Sequence, residues 1–171
     1  MSLASPPLRR AGRGNAADGS SIIWSVAEGR RGRRWREVVV TAGSIRSSLL
    51  LELDPDGAFS HLELSTAAGL LTLHPETDGT LHGNAVTRDG IQHIRGVPWS
   101  PDQAIWITGS SICLAAGLRR DGTKTAAWLG IGLDLRLETA VSIIRPDWSL
   151  IDAEGLPVLV DAETWRLELD D

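Results

Sequence analysis

Apolar and polar residues alternate without a break from Leu129 to Glu138. At 3.6 residues per turn the apolar side chains would scatter around a helix, whereas at a period of two they share one face of a strand. Shorter copies of the pattern recur at 62–64, 71–73 and 165–169. The alternation predicts half-buried antiparallel sheet, with one buried face formed by Leu129, Ile131, Leu133, Leu135 and Leu137.

The same reasoning predicts strands along most of the chain. A first set is expected at about 21–27, 35–41, 44–53, 58–65, 69–74, 79–86 and 91–95, and a second at about 125–133, 135–144, 147–151, 156–160 and 164–169. Asp-Gly pairs supply the positive φ angles of tight hairpins, and they occur at Asp56-Gly57, Asp78-Gly79, Asp89-Gly90 and Asp121-Gly122. We therefore expect a meander that curls into a barrel, half-barrel or roll.

One region departs from the alternation. Pro98 and Pro101 make 96–102 an irregular, rigid loop, and a short helix is expected within about 100–117. Ser110 or Ser111 would cap this helix and Gly117 would end it. The predicted fold is all-β with one short helix, and crossover connections between parallel strands are not expected.

Composition places this pattern in a soluble protein. The first 20 residues are rich in Ser, Pro, Gly, Ala and Arg, so 1–20 is predicted to be a disordered tail and 21–171 a single domain. No apolar run approaches the ~20 residues of a membrane span. The single Cys113 fits the reducing cytoplasm, where we expect the protein, and the net charge of −5 argues against a nucleic-acid binder.

Arginines cluster between Arg30 and Arg36. They could form an anion or phosphate site, but a solvated hairpin turn around Gly29 and Gly32 is the interpretation we favour.

The segment His93-Ile94-Arg95-Gly96-Val97-Pro98-Trp99-Ser100-Pro101-Asp102, followed by Gly109-Ser110, is the most specific stretch of the chain. With an opening Trp24, many short strands and a closing aromatic strand at Trp165, it resembles a bacterial family described as glycolipid-binding proteins. The resemblance covers roughly 22–169 of the chain. It implies a spiral β-roll, in which one long antiparallel sheet wraps around a single helix, and a lipid or glycolipid ligand.

Seven tryptophans are the main candidates for binding such a ligand, because an indole can line an acyl pocket or stack on a sugar. Trp99 and Trp106 flank the irregular loop, and Trp128 shares a predicted strand face with Gly130 and Gly132. The alternative is that the tryptophans fill the core of a curved sheet.

The predicted ligand site also draws on polar residues of the loop. His93 and Arg95 are expected on one strand face, with Ile94 on the other, and they would donate to a sugar hydroxyl or a phosphate. The complete set of predicted ligand-binding residues is His93, Arg95, Trp99, Asp102, Trp106 and Trp128. No metal, cofactor or catalytic residue is predicted, and His61, His74, His82 and His93 are expected at ordinary cross-strand positions.

Three functions from different classes remain open. The leading hypothesis is a non-enzymatic protein that binds a lipid or glycolipid in or beside the hollow of the curled sheet. The alternative is a structural or interaction protein that forms a homodimer, with its hollow filled by its own helix. A hydrolase using His93, Asp102, Ser110 and Cys113 is a distant third, and the distances between these side chains would decide it.

Overall fold

A computed structural model describes residues 9–16, 18–118, 127–143, 150–151 and 157–158. It is mostly β-structure with one short helix. In chain order the elements are β1 (Arg9–Asn15), β2 (Ser21–Gly29), β3 (Gly32–Thr41), β4 (Ser44–Leu53), β5 (Phe59–Thr66), β6 (Gly69–Pro75), β7 (Thr80–Thr87), β8 (Gly90–Pro98), β9 (Ala104–Ile107), α1 (Ser111–Leu118), β10 (Ala127–Ile131), β11 (Leu137–Ile143), β12 (Leu150–Ile151) and β13 (Pro157–Val158).

Strands β1 to β8 form an open antiparallel sheet in which each strand pairs with its neighbours in sequence. The predicted strands of this region and the predicted meander are confirmed. Glycines at three predicted Asp-Gly turns adopt positive φ, namely Gly57, Gly79 and Gly90. Ala42 and Gly43, with φ of 49° and 78°, form the tight turn between β3 and β4. The fourth pair, Asp121-Gly122, lies outside the described residues.

One face of this sheet, the inner face, carries the core. Along β2 the side chains of Ile22, Trp24 and Val26 are buried while Ser21 and Ile23 are exposed, as the period of two requires. Residues from β2 to β7 join residues of β9, α1 and β10 in a single hydrophobic cluster. The opposite face, the outer face, carries most of the polar side chains of the sheet.

A second sheet has the strand order β13-β12-β11-β10-β9. Within it β9 and β10 are parallel, with Ile105 beside Leu129 and Ile107 beside Ile131. The chain passes from β9 through α1 to β10, so the expectation of no crossover is wrong at this place. A parallel pair needs a connection of about a dozen residues or more, and the helical segment supplies it.

The alternating run from Leu129 to Glu138 is a hairpin, and the break expected between strands at 125–133 and 135–144 is found as the turn between β10 and β11. The five apolar residues of the run therefore do not share one strand face, although all of them belong to the core or pack against it. Strand β10 ends at Ile131, and the Leu135 N–H donates to the Gly132 carbonyl over 3.0 Å. Leu135 adopts φ 66°, the left-handed conformation that closes a three-residue hairpin loop. The side chain of Leu135 is nevertheless buried, and this burial opposes the backbone strain.

The amino-terminal segment also differs from expectation. Residues 9–15 form β1, in register with β2, whereas 1–20 was predicted to be a disordered tail; residues 1–8 lie outside the described part. The sequence of β1 has no large apolar residue, which is why alternation gave no signal. Instead the Trp24 indole lies against Gly12, where an added Cβ would come within 2.8 Å of the ring.

The break in the alternating run can be tested by truncating residues on either side of it. Ile131 is fully buried in β10, so Ile131→Ala should lower the free energy of unfolding by about 2–5 kcal/mol. Leu133 lies in the hairpin turn and is only partly buried, so Leu133→Ala should cost clearly less. Urea denaturation measures both, and a larger loss for Leu133→Ala would contradict the hairpin.

Candidate functional site

The structure separates the predicted ligand-binding residues instead of gathering them into one pocket. Trp99 belongs to the core: it is 8% exposed, and its ring packs edge-to-face on Phe59 with centroids 5.3 Å apart. Its backbone N–H donates to the Gly79 carbonyl over 2.8 Å, which ties the start of the loop to the turn between β6 and β7. The indole in this position has little surface to offer a ligand.

Trp106, Trp128 and Asp102 lie near the second sheet. Trp106 is half-buried on β9 beside Gly130, and Trp128 is beside Ala104 in the same parallel register. The side chain of Trp128 is outside what the structure describes. Asp102 is exposed in the turn before β9, where its backbone N–H lies 3.4 Å from the Ser100 hydroxyl.

The hollow beneath β4 and β5 is filled by the chain itself. A cavity of about 10 Å³ remains between these strands, β9 and α1, lined in part by Leu51, Phe59, Ile105 and Ala116. Such a volume is close to the minimum for one water molecule. This part of the hollow therefore has no room for an acyl chain.

His93 and Arg95 are found on the outer face. Both are exposed and Ile94 between them packs towards the core, so their predicted placement on one face is confirmed. Leu81 pairs with Val97 and Gly83 with Ile94, so Arg95 and Gly96 together oppose the single residue His82. This β-bulge, with Gly96 at φ 69°, directs both Arg95 and Gly96 away from the core.

An exposed apolar row crosses the outer face beside these polar residues. Leu70, Val86 and Ile91 are direct partners across β6, β7 and β8, and they are 42%, 42% and 65% exposed. We call these three residues the apolar row. A second row of direct cross-strand partners lies two residues away from the apolar row on the same three strands. It is formed by Thr72, Asn84 and His93.

We call the apolar row, together with Asn84, His93 and Arg95, the outer-face site. Residues two apart along a strand are about 7 Å apart, so its apolar and polar parts are adjacent on the same surface. His93 Nδ1 lies 2.7 Å from Asn84 Oδ1, which fixes the ring orientation. The site is therefore an ordered surface that is apolar at one end and rich in hydrogen-bond donors at the other.

Two histidines of the outer face contact carboxylates, and His74 is also the cross-strand partner of His82, with ring centroids 6.5 Å apart. His61 lies 3.1 Å from Glu63, and His74 lies 3.1 Å from Glu76. In the described part of the chain no three His, Cys, Asp or Glu side chains converge as a metal site would require. Each of these carboxylates lies only two residues after its histidine in the chain, so both contacts are local.

Glu37 is the polar residue that sequence reasoning missed. It is 2% exposed on the inner face of β3, and its Oε2 accepts from the Ser111 N–H at 3.2 Å, the Ser111 hydroxyl at 2.8 Å and the Ile112 N–H at 3.4 Å. The Ser110 hydroxyl accepts from the Cys113 N–H at 3.3 Å, as an N-cap does. The sequence does contain a signal that could have identified Glu37, namely a charged residue at a position of β3 whose side chain faces the core.

The residues proposed for a hydrolase do not assemble into a triad. His93 lies on the outer face and Asp102 in an exposed turn, whereas Ser110 and Cys113 are buried at the start of α1. Burial, with the nearby Glu37 carboxylate, raises the pKa of the Cys113 thiol to about 12. Cys113 is therefore a poor nucleophile at neutral pH.

The arginine cluster behaves largely as a solvated hairpin. Arg33 pairs with Glu28 at 3.1 Å, and Arg34 pairs with Glu52 at 2.5 Å. Arg30 and Arg31 lie exposed at the turn between β2 and β3. Two of the arginines are thus already matched by carboxylates.

No family model and no curated protein matches the chain. Among solved structures, the crystal structure of a DUF1089 family protein from Pseudomonas aeruginosa at 1.80 Å resolution is similar, with 17% identity and a TM-score of 0.46. The match covers 96% of this chain and 90% of that chain. This similarity assigns neither a family nor a function, so the glycolipid-binding family stays a prediction.

The residues that the structure describes include no helix of the length and apolar character needed to cross a membrane.

The buried carboxylate gives a testable pH dependence. Burial raises the pKa of Glu37 above its usual 4.5, although hydrogen bonds from Ser110, Ser111 and Ile112 oppose the shift. The folded state therefore holds this proton more tightly, and the stabilisation is complete below pH 4.5 and is lost as the pH rises through the raised value. Glu37→Gln should remove this pH dependence, because the amide does not titrate.

The measurement is the free energy of unfolding of both proteins in urea at several pH values above 4.5. Relative to the wild type, Glu37→Gln should become more stable as the pH rises. A difference between the two proteins that does not change with pH would contradict the raised pKa.

Proposed function

We propose that the protein binds an amphipathic ligand, a lipid or glycolipid, at the outer-face site. The observation that supports this proposal is that an exposed apolar row lies next to an ordered set of hydrogen-bonding groups on the same strands. It moves the expected site from the hollow to the opposite face of the same sheet, because the described hollow is occupied by α1 and β9.

The apolar row suits an acyl chain. Adjacent strands are about 4.8 Å apart, so the row covers about 10 Å across β6, β7 and β8. Ile91 on the edge strand is the most exposed of the three side chains. Covering these side chains would contribute about 25 cal/mol for each Å² of apolar surface removed from water.

The polar end suits a head group. Asn84 engages Nδ1 of His93 and leaves Nε2, on the far side of the ring, for a ligand. Arg95 adds a guanidinium that can bind hydroxyls or clamp a phosphate with two parallel hydrogen bonds. Sugar and phosphate head groups both match this chemistry.

A charge introduced into the apolar row should weaken binding. Ile91→Glu is expected to reduce the affinity for a monomeric alkyl glycoside or lysophosphocholine about tenfold, equivalent to about 1.4 kcal/mol. Ile45→Glu is the matched control, because Ile45 is 68% exposed but lies four strands away on β4. Both changes are at exposed positions and should leave the unfolding free energy nearly unchanged.

Isothermal titration below the critical micelle concentration measures the affinities. Arg95→Gln distinguishes the head groups, since it should weaken the phosphate-bearing lipid more than the alkyl glycoside. Equal losses in Ile91→Glu and Ile45→Glu would place the binding elsewhere. No binding of either lipid to the wild type would leave the homodimer without a small-molecule ligand as the better hypothesis.

A further inference from the structure

We propose that β8 pairs antiparallel with β8 of a second copy of this chain, about a two-fold axis at Gln92, joining two sheets into one. The proposal does not depend on the ligand. Within the described residues β8 pairs only with β7. Residues 90–93 are all exposed, and no strand among the described residues covers the outer edge of β8.

The open edge specifies a strand as the occupant. Along an edge strand, alternate residues direct their N–H and C=O groups away from the sheet, and another extended backbone satisfies both. A helix or a folded loop has already used its backbone groups and could not match the row.

The two edges of the sheet differ in how they resist such pairing. β1 carries Arg9, Arg10 and Arg13 among its seven residues, and clustered charge opposes the approach of another strand. The second half of β8 is blocked by the bulge at Arg95-Gly96 and by Pro98. Only 90–94 combines regular backbone with neither a Lys or Arg nor a proline.

The geometry of this segment allows it to pair with its own copy over its full length. When a strand pairs with itself about an axis normal to the sheet, opposed residues lie on the same face, so the axis passes through a residue. The regular segment runs from the turn at Gly90 to the bulge after Ile94, and Gln92 is its centre. A two-fold axis at Gln92 therefore gives the register in which all of 90–94 is paired.

The opposed side chains are compatible in this register. Ile91 would lie opposite the partner's His93, both on the outer face, and Gly90 would give room to the partner's Ile94. No like-charged arginines or carboxylates face each other within the paired segment. The outer-face sites of the two copies would become neighbours on one surface.

Disulfide trapping tests the register directly. Residues opposed at the axis have Cα atoms about 4.5–5.5 Å apart, within the range that a disulfide bridges. Gln92→Cys should therefore form a covalent dimer rapidly under mild oxidation. Arg13→Cys, at an exposed position on the other edge, is the matched control and should react slowly, and the native Cys113 is buried.

Sedimentation analysis of the wild type provides the independent measurement. It should show a dimer, and Gln92→Lys should shift the protein to monomer while its circular dichroism spectrum stays that of the wild type. A monomeric wild type would overturn the proposal. So would a dimer that persists in Gln92→Lys, or cross-linking of Arg13→Cys as fast as that of Gln92→Cys.

Discussion

The whole structure depends on covering the inner face of the eight-stranded sheet. An open sheet with large apolar side chains on one face is stable only if something removes that face from water. Here the cover includes α1, β9 and β10, whose residues Ile112, Ile107 and Ile131 enter the same core as those of the sheet. The cover belongs to the same chain, so the described hollow is filled without a ligand.

Glu37 holds part of this cover in place. A carboxylate buried on β3 is costly unless it is hydrogen bonded, and the free N–H groups at the start of α1 meet that need. The carboxylate and the N–H groups each offset the desolvation of the other. The carboxylate also lies at the amino-terminal end of α1, where the helix dipole favours a negative charge. The contact therefore fixes where α1 begins against the sheet, which apolar packing alone does not specify.

Filling the hollow moves the functional question to the outer face. Trp99, which the loop sequence suggested as a binding residue, is used for packing against Phe59. His93 and Arg95 are both exposed because they are two residues apart on β8, and the bulge that begins at Arg95 comes after His93. The exposed Ile91 lies on the same strand and faces the same way, so β8 supports both the ligand proposal and the proposed pairing of two copies.

Much of the fold follows from the sequence because the period of two and the turn residues are local signals. The alternation of apolar and polar residues predicted strands whose ranges are close to those of β2 to β8, and Asp-Gly pairs predicted three of the turns between them. Ser110 and Gly117 likewise placed α1, because caps depend on neighbouring residues. His93 and Arg95 were placed on one face by the same strand periodicity.

What local pattern could not decide was which partner each segment meets. Residues 129–137 alternate as a strand would, yet the pairing of β10 with β9 ends at Ile131 and the chain turns back with Leu135 in the left-handed conformation. β1 has no apolar signal and exists because Trp24, from the next strand, covers Gly12. Glu37 is a charged residue at an inward position of β3, and only α1, far along the chain, supplies the N–H groups that bind it there. The sequence by itself determined β2 to β8, three of their turns and the helix, whose signals are local. Tertiary contacts decided β1, the pairing of β9 with β10, and which side chains became core.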